Sequence, residues 1–149
     1  MRIISATTSD RQILTQLTQQ SKAYWGYSKE QMEKWTADLT LSPNYISENI
    51  VIKLIQQEEI VGYYALLHKE ANTVELDNLF IHPSVIGKGY GSLLLQDAIE
   101  RSIQLGYTSM VLYADPHATD FYLKKGFAIM GRLKTSIPNR YLPKMEKQL

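Results

Sequence analysis

The residues best suited to chemistry form a short glycine-rich segment, Gly87-Lys88-Gly89-Tyr90-Gly91, between two apolar stretches. Glycine lets a backbone approach a ligand closely and point several N–H groups at it. An apolar run with helical spacing follows from residue 92, and the N-terminus of a helix carries a partial positive charge. Together these features predict an anion site, most naturally for phosphate, with Lys88 as an added cation.

The spacing of these glycines rules out two common nucleotide-binding motifs. No GxxxxGK[ST] sequence is present, and Ser92 stands where the third glycine of GxGxxG would be, counting from Gly87. On this segment alone, a tight turn that binds no ligand remains the alternative.

A second group of candidates lies between residues 115 and 127. Tyr122 falls in a segment of helical character, and Lys124 and Lys125 stand beside it. A glycine–aromatic pair, Gly126-Phe127, then leads into the next predicted strand. The segment therefore brings a phenol and two cations close together in the sequence.

Two motifs together resemble the GCN5-related N-acetyltransferase (GNAT) superfamily. The first is Ile81-His82-Pro83 followed by residues 86–91, and the second is Ala118 with Phe121-Tyr122 and Gly126-Phe127. The order of elements is similar too, so the likeness covers essentially the whole chain. It implies an α/β (α+β) fold in one domain, with a mixed, mostly antiparallel sheet flanked by helices. Such motifs are specific for the fold and the cofactor, but they are not specific for the substrate.

The resemblance implies acetyl-CoA as the donor. In that family the backbone at the end of the fourth strand holds the pantetheine, a role that carries over to Leu79, Phe80 and Ile81. The pyrophosphate-binding positions that carry over are Gly87, Lys88, Gly89, Tyr90, Gly91 and Ser92.

Two positions depart from the family pattern. Ile86 stands where the family usually has Gln or Arg, and Asp115 stands where relatives often carry an Asn that contacts the cofactor. Asp115 therefore either contacts the cofactor or caps the following helix. Lys124 is expected to lie near the anionic cofactor.

Acetyl transfer from a thioester to an amine requires a neutral amine and a protonated leaving thiolate. Deprotonating an alkyl amine of pKa near 10.4 costs roughly 4–5 kcal/mol at pH 7, whereas a thiol near 8.5 needs only about 2 kcal/mol of help. Tyr122 matches the family tyrosine that protonates the thiolate, and a phenol is neutral at pH 7 and able to donate its proton. The alternative for Tyr122 is an ordinary buried aromatic residue.

Two carboxylates are candidates for the general base. Glu75 and Asp77 share the parity of Leu79 and Ile81, so a regular strand would place all four on one face. Glu75 lies at the spacing at which histone-acetylating members of the family carry their glutamate base. Asp77 is nearer the thioester, and either carboxylate can act through a water. Simple exposure at a strand edge is the alternative for both.

The acceptor side is less constrained. Trp25 and Tyr27 lie where two predicted helices meet, in the region that resembles the acceptor-facing wall of the family. Aromatic rings there can cage a cationic amine, and the alternative is that they pack one helix on another. Arg140, in a polar loop before the last strand, either recognises an acceptor carboxylate or pairs with a surface acid.

Composition narrows the function further. The 149 residues carry 16 basic and 15 acidic side chains, a net charge of +1, which argues against a nucleic-acid or membrane-surface partner recruited by bulk charge. No segment resembles a signal peptide or a membrane span, so a cytoplasmic location is expected. Three scattered histidines predict no metal site. The absence of cysteine excludes a cysteinyl acyl-enzyme and favours direct attack of the amine on the thioester.

We therefore expect residues 1–149 to form a single N-acetyltransferase domain that uses acetyl-CoA to acetylate a primary amine of a small molecule or peptide. A non-catalytic acyl-CoA-binding sensor or partner module is the main alternative, and a nucleotide-binding protein is the third. An exposed strand near the C-terminus would allow a homodimer.

Hydrophobic spacing predicts the elements that position these residues. Asp10 is expected to cap a first helix that ends near Gly26, and Ser28 to open a second that Pro43 terminates. The remaining predictions are strands at 2–5, 50–55, 60–67, 72–81, 109–113, 127–133 and 141–145, a hairpin turn at 56–59, and helices at 92–105 and 116–125. Gly106 is expected to cap the helix that follows the glycine-rich segment.

Overall fold

The structure is a computed structural model that describes all 149 residues. Five α-helices and seven β-strands make up its regular elements. The helices are α1 (Arg11–Ala23), α2 (Lys29–Lys34), α3 (Pro43–Glu48), α4 (Tyr90–Gln104) and α5 (Thr119–Lys124). The strands are β1 (Arg2–Ser5), β2 (Ile50–Gln56), β3 (Glu59–Glu70), β4 (Thr73–Ile81), β5 (Ser109–Tyr113), β6 (Ala128–Lys134) and β7 (Tyr141–Gln148). Short 3₁₀ helices cover Thr8–Asp10, Pro83–Val85 and Pro116–Ala118.

All seven strands belong to one sheet, in the order β1-β2-β3-β4-β5-β7-β6. Strands β4 and β5 run parallel, whereas β1–β2, β2–β3, β5–β7 and β6–β7 are antiparallel. The predicted α+β class, with a mixed and mostly antiparallel sheet flanked by helices, is confirmed.

The chain forms two compact units, each with its own buried side chains. The first comprises Met1–Leu66 and Asn78–Ala98, and the second comprises Leu67–Asp77 and Ile99–Leu149. Fully buried side chains of the first unit include Leu14, Leu54, Tyr63, Tyr64 and Leu94. Those of the second include Val74, Met110, Leu112 and Met145. Burial of this apolar surface is the main contribution to the stability of each unit.

The hairpin between β2 and β3 confirms the turn predicted at 56–59. Gln57 and Glu58 have φ values of 52° and 63°, so both lie in the left-handed region. Two consecutive left-handed residues are typical of a type I′ turn, whose twist matches that of the flanking strands.

The N-terminal helices differ from prediction at the start of α1 and at Pro43. The Asp10 side chain makes no cap to α1; its Oδ2 accepts from the Thr7 N–H at 2.8 Å and pairs with Lys53 Nζ at 2.8 Å. Pro43 begins α3 instead of ending the second helix, because a proline at the first helical position gives up no hydrogen bond. The predicted stop at Gly26 (φ 85°) and the Ser28 cap, which accepts from the Gln31 N–H, are confirmed.

The later elements follow the predictions closely. Gly106 has a φ of 93° just beyond α4, as a C-terminal cap requires. Helix α4 begins two residues earlier than expected, at Tyr90, and β7 runs on to Gln148. The predicted helix at 116–125 is a 3₁₀ turn followed by α5.

Candidate active site

The glycine-rich segment forms an open turn before α4. Gly87 and Gly89 have φ values of 88° and 82°, and a Cβ atom built on either would meet nothing within 4 Å. The Gly89 carbonyl accepts the Leu93 N–H at 3.1 Å, so the helix starts directly after the turn. The first N–H groups of a helix have no acceptor within it and are available to an anion. The turn therefore fits a phosphate group that approaches the backbone closely.

The side chains of this turn face solvent. Lys88 is exposed, and Ile86 is 42% exposed, so the position where the family usually has Gln or Arg offers no polar group here. His82 anchors the start of the turn, because its Nδ1 accepts the Ser84 N–H at 3.1 Å. Backbone N–H groups and the Lys88 ammonium are thus what the turn can offer an anion.

The C-terminal half of β4 has one edge without a strand partner. Pairing of β4 with β5 covers only Thr73, Val74 and Glu75, although β4 continues to Ile81. The other edge pairs with β3, and the His82 N–H donates to the Val61 carbonyl at 2.8 Å just after the strand. Backbone groups at residues 79–81 can therefore hydrogen-bond a ligand, as pantetheine binding would require.

Asn78 interrupts β4 immediately before this segment. Its φ is 53°, in the left-handed region, and a left-handed residue within a strand is typical of a β-bulge. Strict alternation of side chains does not continue through such a residue. The parity argument therefore still applies to Glu75 and Asp77, but it does not extend across Asn78 to Leu79 and Ile81.

Glu75 has a cationic partner. Its carboxylate Oε1 lies 3.2 Å from Lys69 Nζ, and Glu75 itself is only 9% exposed. The hydrogen bond and charge of Glu75 raise the pKa of Lys69, so the ammonium stays protonated. Asp77, two residues on, is half-buried.

Tyr122 is 7% exposed and packs edge-on against the rings of Phe121 and Phe127, with centroids 5.1 Å and 5.6 Å away. Burial raises its pKa well above 10, so the phenol is neutral at physiological pH. No hydrogen bond contributes to that shift. Aromatic packing, and no polar partner, therefore holds the phenol in place.

Asp115 and Arg140 pair with each other. Asp115 Oδ1 accepts the His117 N–H at 2.9 Å, which caps the 3₁₀ turn, and Oδ2 lies 3.3 Å from Arg140 Nη2. The sequence left two alternatives open for each of these residues. In the structure, Asp115 caps the 3₁₀ turn and Arg140 pairs with an acid. Lys124 is exposed at the last residue of α5.

The two aromatic residues predicted to contact the acceptor, Trp25 and Tyr27, each pack against another aromatic ring. Tyr24 and Trp25 pack edge to face at 5.2 Å, and Trp25 is 46% exposed. Tyr27 packs on Trp35 at 4.8 Å, and Lys22 Nζ lies 5.3 Å and 5.0 Å from their ring centroids. The rings of Tyr27 and Trp35 thus already contact the ammonium of Lys22, and these contacts join α1 to α2.

Comparison with known proteins decides the family. The family model described as "Acetyltransferase (GNAT) domain" matches residues 14–146, which is most of the chain. The chain belongs to the GNAT acetyltransferase family. The resemblance noted from the two motifs is therefore confirmed.

Curated relatives of this GNAT chain are themselves named N-acetyltransferases. It is 35% identical over 77 residues to "Uncharacterized N-acetyltransferase YvbK" of Bacillus subtilis (strain 168), covering 50% of each chain. It is 33% identical over 81 residues to "Peptidyl-lysine N-acetyltransferase YjaB" of Salmonella typhimurium, covering 54% of this chain and 51% of that protein. The matched part thus spans about half the length of these relatives.

Solved structures share the whole fold. The PaiA N-acetyltransferase from Thermoplasma acidophilum, crystallised with coenzyme A, has a TM-score of 0.83 at 21% identity, covering 99% of this GNAT chain and 98% of that one. An aminoglycoside 6'-N-acetyltransferase complexed with coenzyme A has a TM-score of 0.73 at 18% identity, covering 99% and 97%. At such identities the likeness establishes the fold alone.

Two further observations bear on ligands and location. The GNAT chain has no group of three or more His, Asp or Glu side chains placed to hold a metal ion. None of its helices combines the length and the apolar character needed to cross a membrane.

Side chains that sequence reasoning missed lie next to the predicted ones. They are Lys69 beside Glu75, Trp35 and Lys22 beside Tyr27, and Tyr45, whose hydroxyl accepts from Asn78 Nδ2 at 3.1 Å. Only Trp35 had a sequence signal, as a large aromatic residue in the predicted second helix. The Lys69 contact depends on strand register, the Tyr45 contact on a helix that the sequence did not predict, and the Lys22 contact on how α1 packs against α2.

Proposed function

We propose that this chain is an acetyl-CoA-dependent N-acetyltransferase that acts on a primary amine of a small molecule or a peptide. The observation that carries the proposal is the open turn at the start of α4. There, left-handed Gly87 and Gly89 leave free space over the helix N-terminus in a chain of the GNAT family. Such a turn suits the pyrophosphate of CoA.

The cofactor-binding residues are proposed in two sets. The backbone of Leu79, Phe80 and Ile81 would hold the pantetheine along the unpaired edge of β4. The pyrophosphate would be held by Gly87, Lys88, Gly89, Tyr90, Gly91 and Ser92. Bound acetyl-CoA would supply an activated acetyl group as a thioester. Asp115 and Lys124 are proposed as further contacts, with the Asp115 charge offset by Arg140.

Tyr122 is proposed as the general acid that protonates the leaving thiolate. Its neutral phenol is positioned by aromatic packing against Phe121 and Phe127. A phenol of raised pKa never ionises at neutral pH, yet it donates its proton as negative charge develops on sulfur. With no cysteine in the chain, direct attack of the amine is the preferred route.

Glu75 and Asp77 are both proposed as candidates for the base, acting directly or through a water. The Lys69 ion pair orients the Glu75 carboxylate, which supports a fixed position for that group. Comparing Glu75→Gln with Asp77→Asn separates them. The variant of the true base loses activity most at low pH, because the remaining rate then depends on amine that is already neutral.

A panel of amines tests the activity. Thiol release from acetyl-CoA is measured with a lysine-containing peptide, a peptide with a free α-amine, a polyamine and an aminoglycoside. Trp25, Tyr27 and Arg140 are proposed as acceptor contacts, so their variants should raise KM for the best amine. Failure of every amine to raise thiol release above the rate without acceptor would contradict the proposal.

One observation favours a second candidate, a non-catalytic acyl-CoA-binding module. The Glu75 carboxylate is engaged by Lys69, a contact that a purely structural residue would also make. Such a module binds CoA but releases no thiol with any amine. The panel combined with direct measurement of CoA binding distinguishes the two candidates.

A further inference from the structure

Asn78 has a backbone conformation that is unusual for a strand residue. Its φ is 53°, although strand β4 continues on both sides of it. Asparagine tolerates the left-handed region better than most residues, but only glycine occupies it without penalty. Such a conformation persists where the surroundings hold it in place.

A hydrogen bond from a distant helix holds this residue. Asn78 Nδ2 donates to the hydroxyl oxygen of Tyr45 at 3.1 Å, and both residues are half-buried in the first unit. Tyr45 is 33 positions away in the chain, in α3. The contact therefore joins the left-handed residue of β4 to a separate element.

Hydrogen bonds and packing in α3 restrict the position of Tyr45. The Tyr45 N–H donates to Ser42 Oγ at 3.0 Å, and the Tyr45 carbonyl accepts from Asn49 Nδ2 at 3.0 Å. Pro43 starts the helix, and Ile46 is buried at 5% exposure. Because both the N–H and the carbonyl of Tyr45 are hydrogen-bonded, its backbone is held in place and its hydroxyl lies at a defined position.

Residues 79–81 follow Asn78 directly, and their position depends on its conformation. We infer that Tyr45 is a positioning residue for cofactor binding: its hydroxyl holds Asn78 in the left-handed conformation, which preorganises the backbone of residues 79–81 for the pantetheine of CoA. The inference rests on the proposed function, because that function supplies CoA as the ligand. It adds a role for α3, which contains none of the residues assigned to the site.

The expected loss of CoA affinity follows from the fraction of molecules in which residues 79–81 have the binding-competent conformation. A strand that spends part of its time in another conformation binds its ligand more weakly in proportion to the competent fraction. Loss of one hydrogen bond of ordinary net strength would weaken CoA binding by about threefold to tenfold.

The test measures CoA affinity by isothermal titration calorimetry in four proteins: wild type, Tyr45→Phe, Asn78→Gly and the double variant. Tyr45→Phe is expected to raise the Kd for CoA about threefold to tenfold. Glycine adopts a left-handed φ without help from a side chain, so removing the Tyr45 hydroxyl in the Asn78→Gly background should change the Kd no further. Tyr24→Phe, which removes a hydroxyl from an exposed tyrosine, is the matched control.

A second readout separates positioning from a general loss of structure. Tyr45→Phe should raise KM for acetyl-CoA while leaving KM for the amine unchanged, at a temperature where all four proteins are folded by circular dichroism. An unchanged Kd in Tyr45→Phe, or an equal loss in both backgrounds, would overturn the inference while the proposed function stands. A wild type that binds no CoA would overturn the proposed function and the inference together.

Discussion

Tyr122 keeps its proton at physiological pH, because burial raises the pKa of its phenol and no neighbouring charge or hydrogen bond lowers it. The phenol packs against Phe121 and Phe127 instead of being held by polar partners. The phenol is therefore neutral and available as a hydrogen-bond and proton donor while negative charge develops on the leaving sulfur.

Tyr122→Phe tests that role directly. The change removes the hydroxyl and keeps the ring packing, so we expect kcat to fall about 10- to 100-fold, in line with the modest help a thiol needs to leave. The Kd for CoA should stay within about twofold, since the ring remains and the lost group makes no hydrogen bond. Tyr24→Phe serves as the control, and a Tyr122→Phe enzyme with unchanged kcat would remove the acid role.

The same residue predicts a dependence of stability on alkaline pH. The pKa of Tyr122 is higher in the folded state than in the unfolded chain, where it is near 10. Its contribution is therefore fully present below about pH 10 and is lost as pH rises toward the folded pKa. Between pH 9 and pH 11, the free energy of unfolding should fall by about 1 kcal/mol more in wild type than in Tyr122→Phe. Urea titrations at the two pH values measure this, and equal losses would show that the phenol is not buried.

At the residue scale, the sequence can suggest a role for a side chain but cannot identify its partner. The role of Tyr122 is predicted from a motif and stays a prediction, and both of its aromatic neighbours, Phe121 and Phe127, belong to that same motif. The Asp115–Arg140 pair forms because the loop before β7 brings Arg140 close to Asp115. Sequence spacing could therefore offer alternative roles for each residue but could not choose between them. The Lys69–Glu75 pair likewise depends on the register of two adjacent strands.

At the scale of elements, the turn before α4 can be tested with a matched pair of glycines. Gly89 and Gly106 both have positive φ and open space where a Cβ would stand. Alanine at either position should cost a similar backbone strain, about 1–2 kcal/mol of stability. Only Gly89→Ala should weaken CoA binding, by about tenfold or more, because its methyl group occupies the space through which a phosphate approaches the helix N-terminus. Calorimetric titration with CoA checks this, and equal affinities for the two variants would place the cofactor elsewhere.

The packing beneath the end of β4 allows a second test at this scale. A Cβ on Gly62 of β3 would lie 2.8 Å from Ile81 Cδ1, 3.0 Å from Leu94 Cδ1 and 3.1 Å from the Phe80 carbonyl oxygen. Gly62→Ala should therefore lower the free energy of unfolding by about 1–3 kcal/mol. Gly131→Ala in β6, where a Cβ meets nothing within 4 Å, should be near neutral. Urea denaturation measures both, and similar values for the two would show that β3 does not need the close approach.

Most elements were predictable because their signals are local. Hydrophobic periodicity and glycine stops located α1, α4 and β5, and β-branched residues located the hairpin. Helix α3 was missed because Pro43 was interpreted as a terminator, although proline also begins helices when a capping Ser42 precedes it. The break at Asn78 was missed because a single left-handed residue leaves no trace in an alternating pattern of apolar residues.

At the scale of the whole molecule, the chain passes between its two compact units three times, at Leu66–Leu67 in β3, at Asp77–Asn78 in β4 and at Ala98–Ile99 in α4. The expectation of one domain, and that of a cytoplasmic location, stay predictions. The same holds for the homodimer, for which β6 offers an edge strand with exposed Ile129 and Met130.

The overall fold and the GNAT family were accessible from two motifs, whereas the acceptor was not. Proteins of this fold are named for chemically different acceptors, an aminoglycoside in one case and an alanine of a ribosomal protein in another, so the fold does not specify the amine.

The most direct measurement of the proposed activity is the stoichiometry of transfer. Purified protein is incubated with acetyl-CoA and the best amine of the panel, and released thiol and acetylated amine are quantified together, the latter by mass spectrometry. We predict one acetylated amine for each CoA released, with both products reduced in parallel by Tyr122→Phe. Release of CoA without acetylated amine, or binding of acetyl-CoA without release in the presence of every amine, would contradict N-acetyl transfer by this chain.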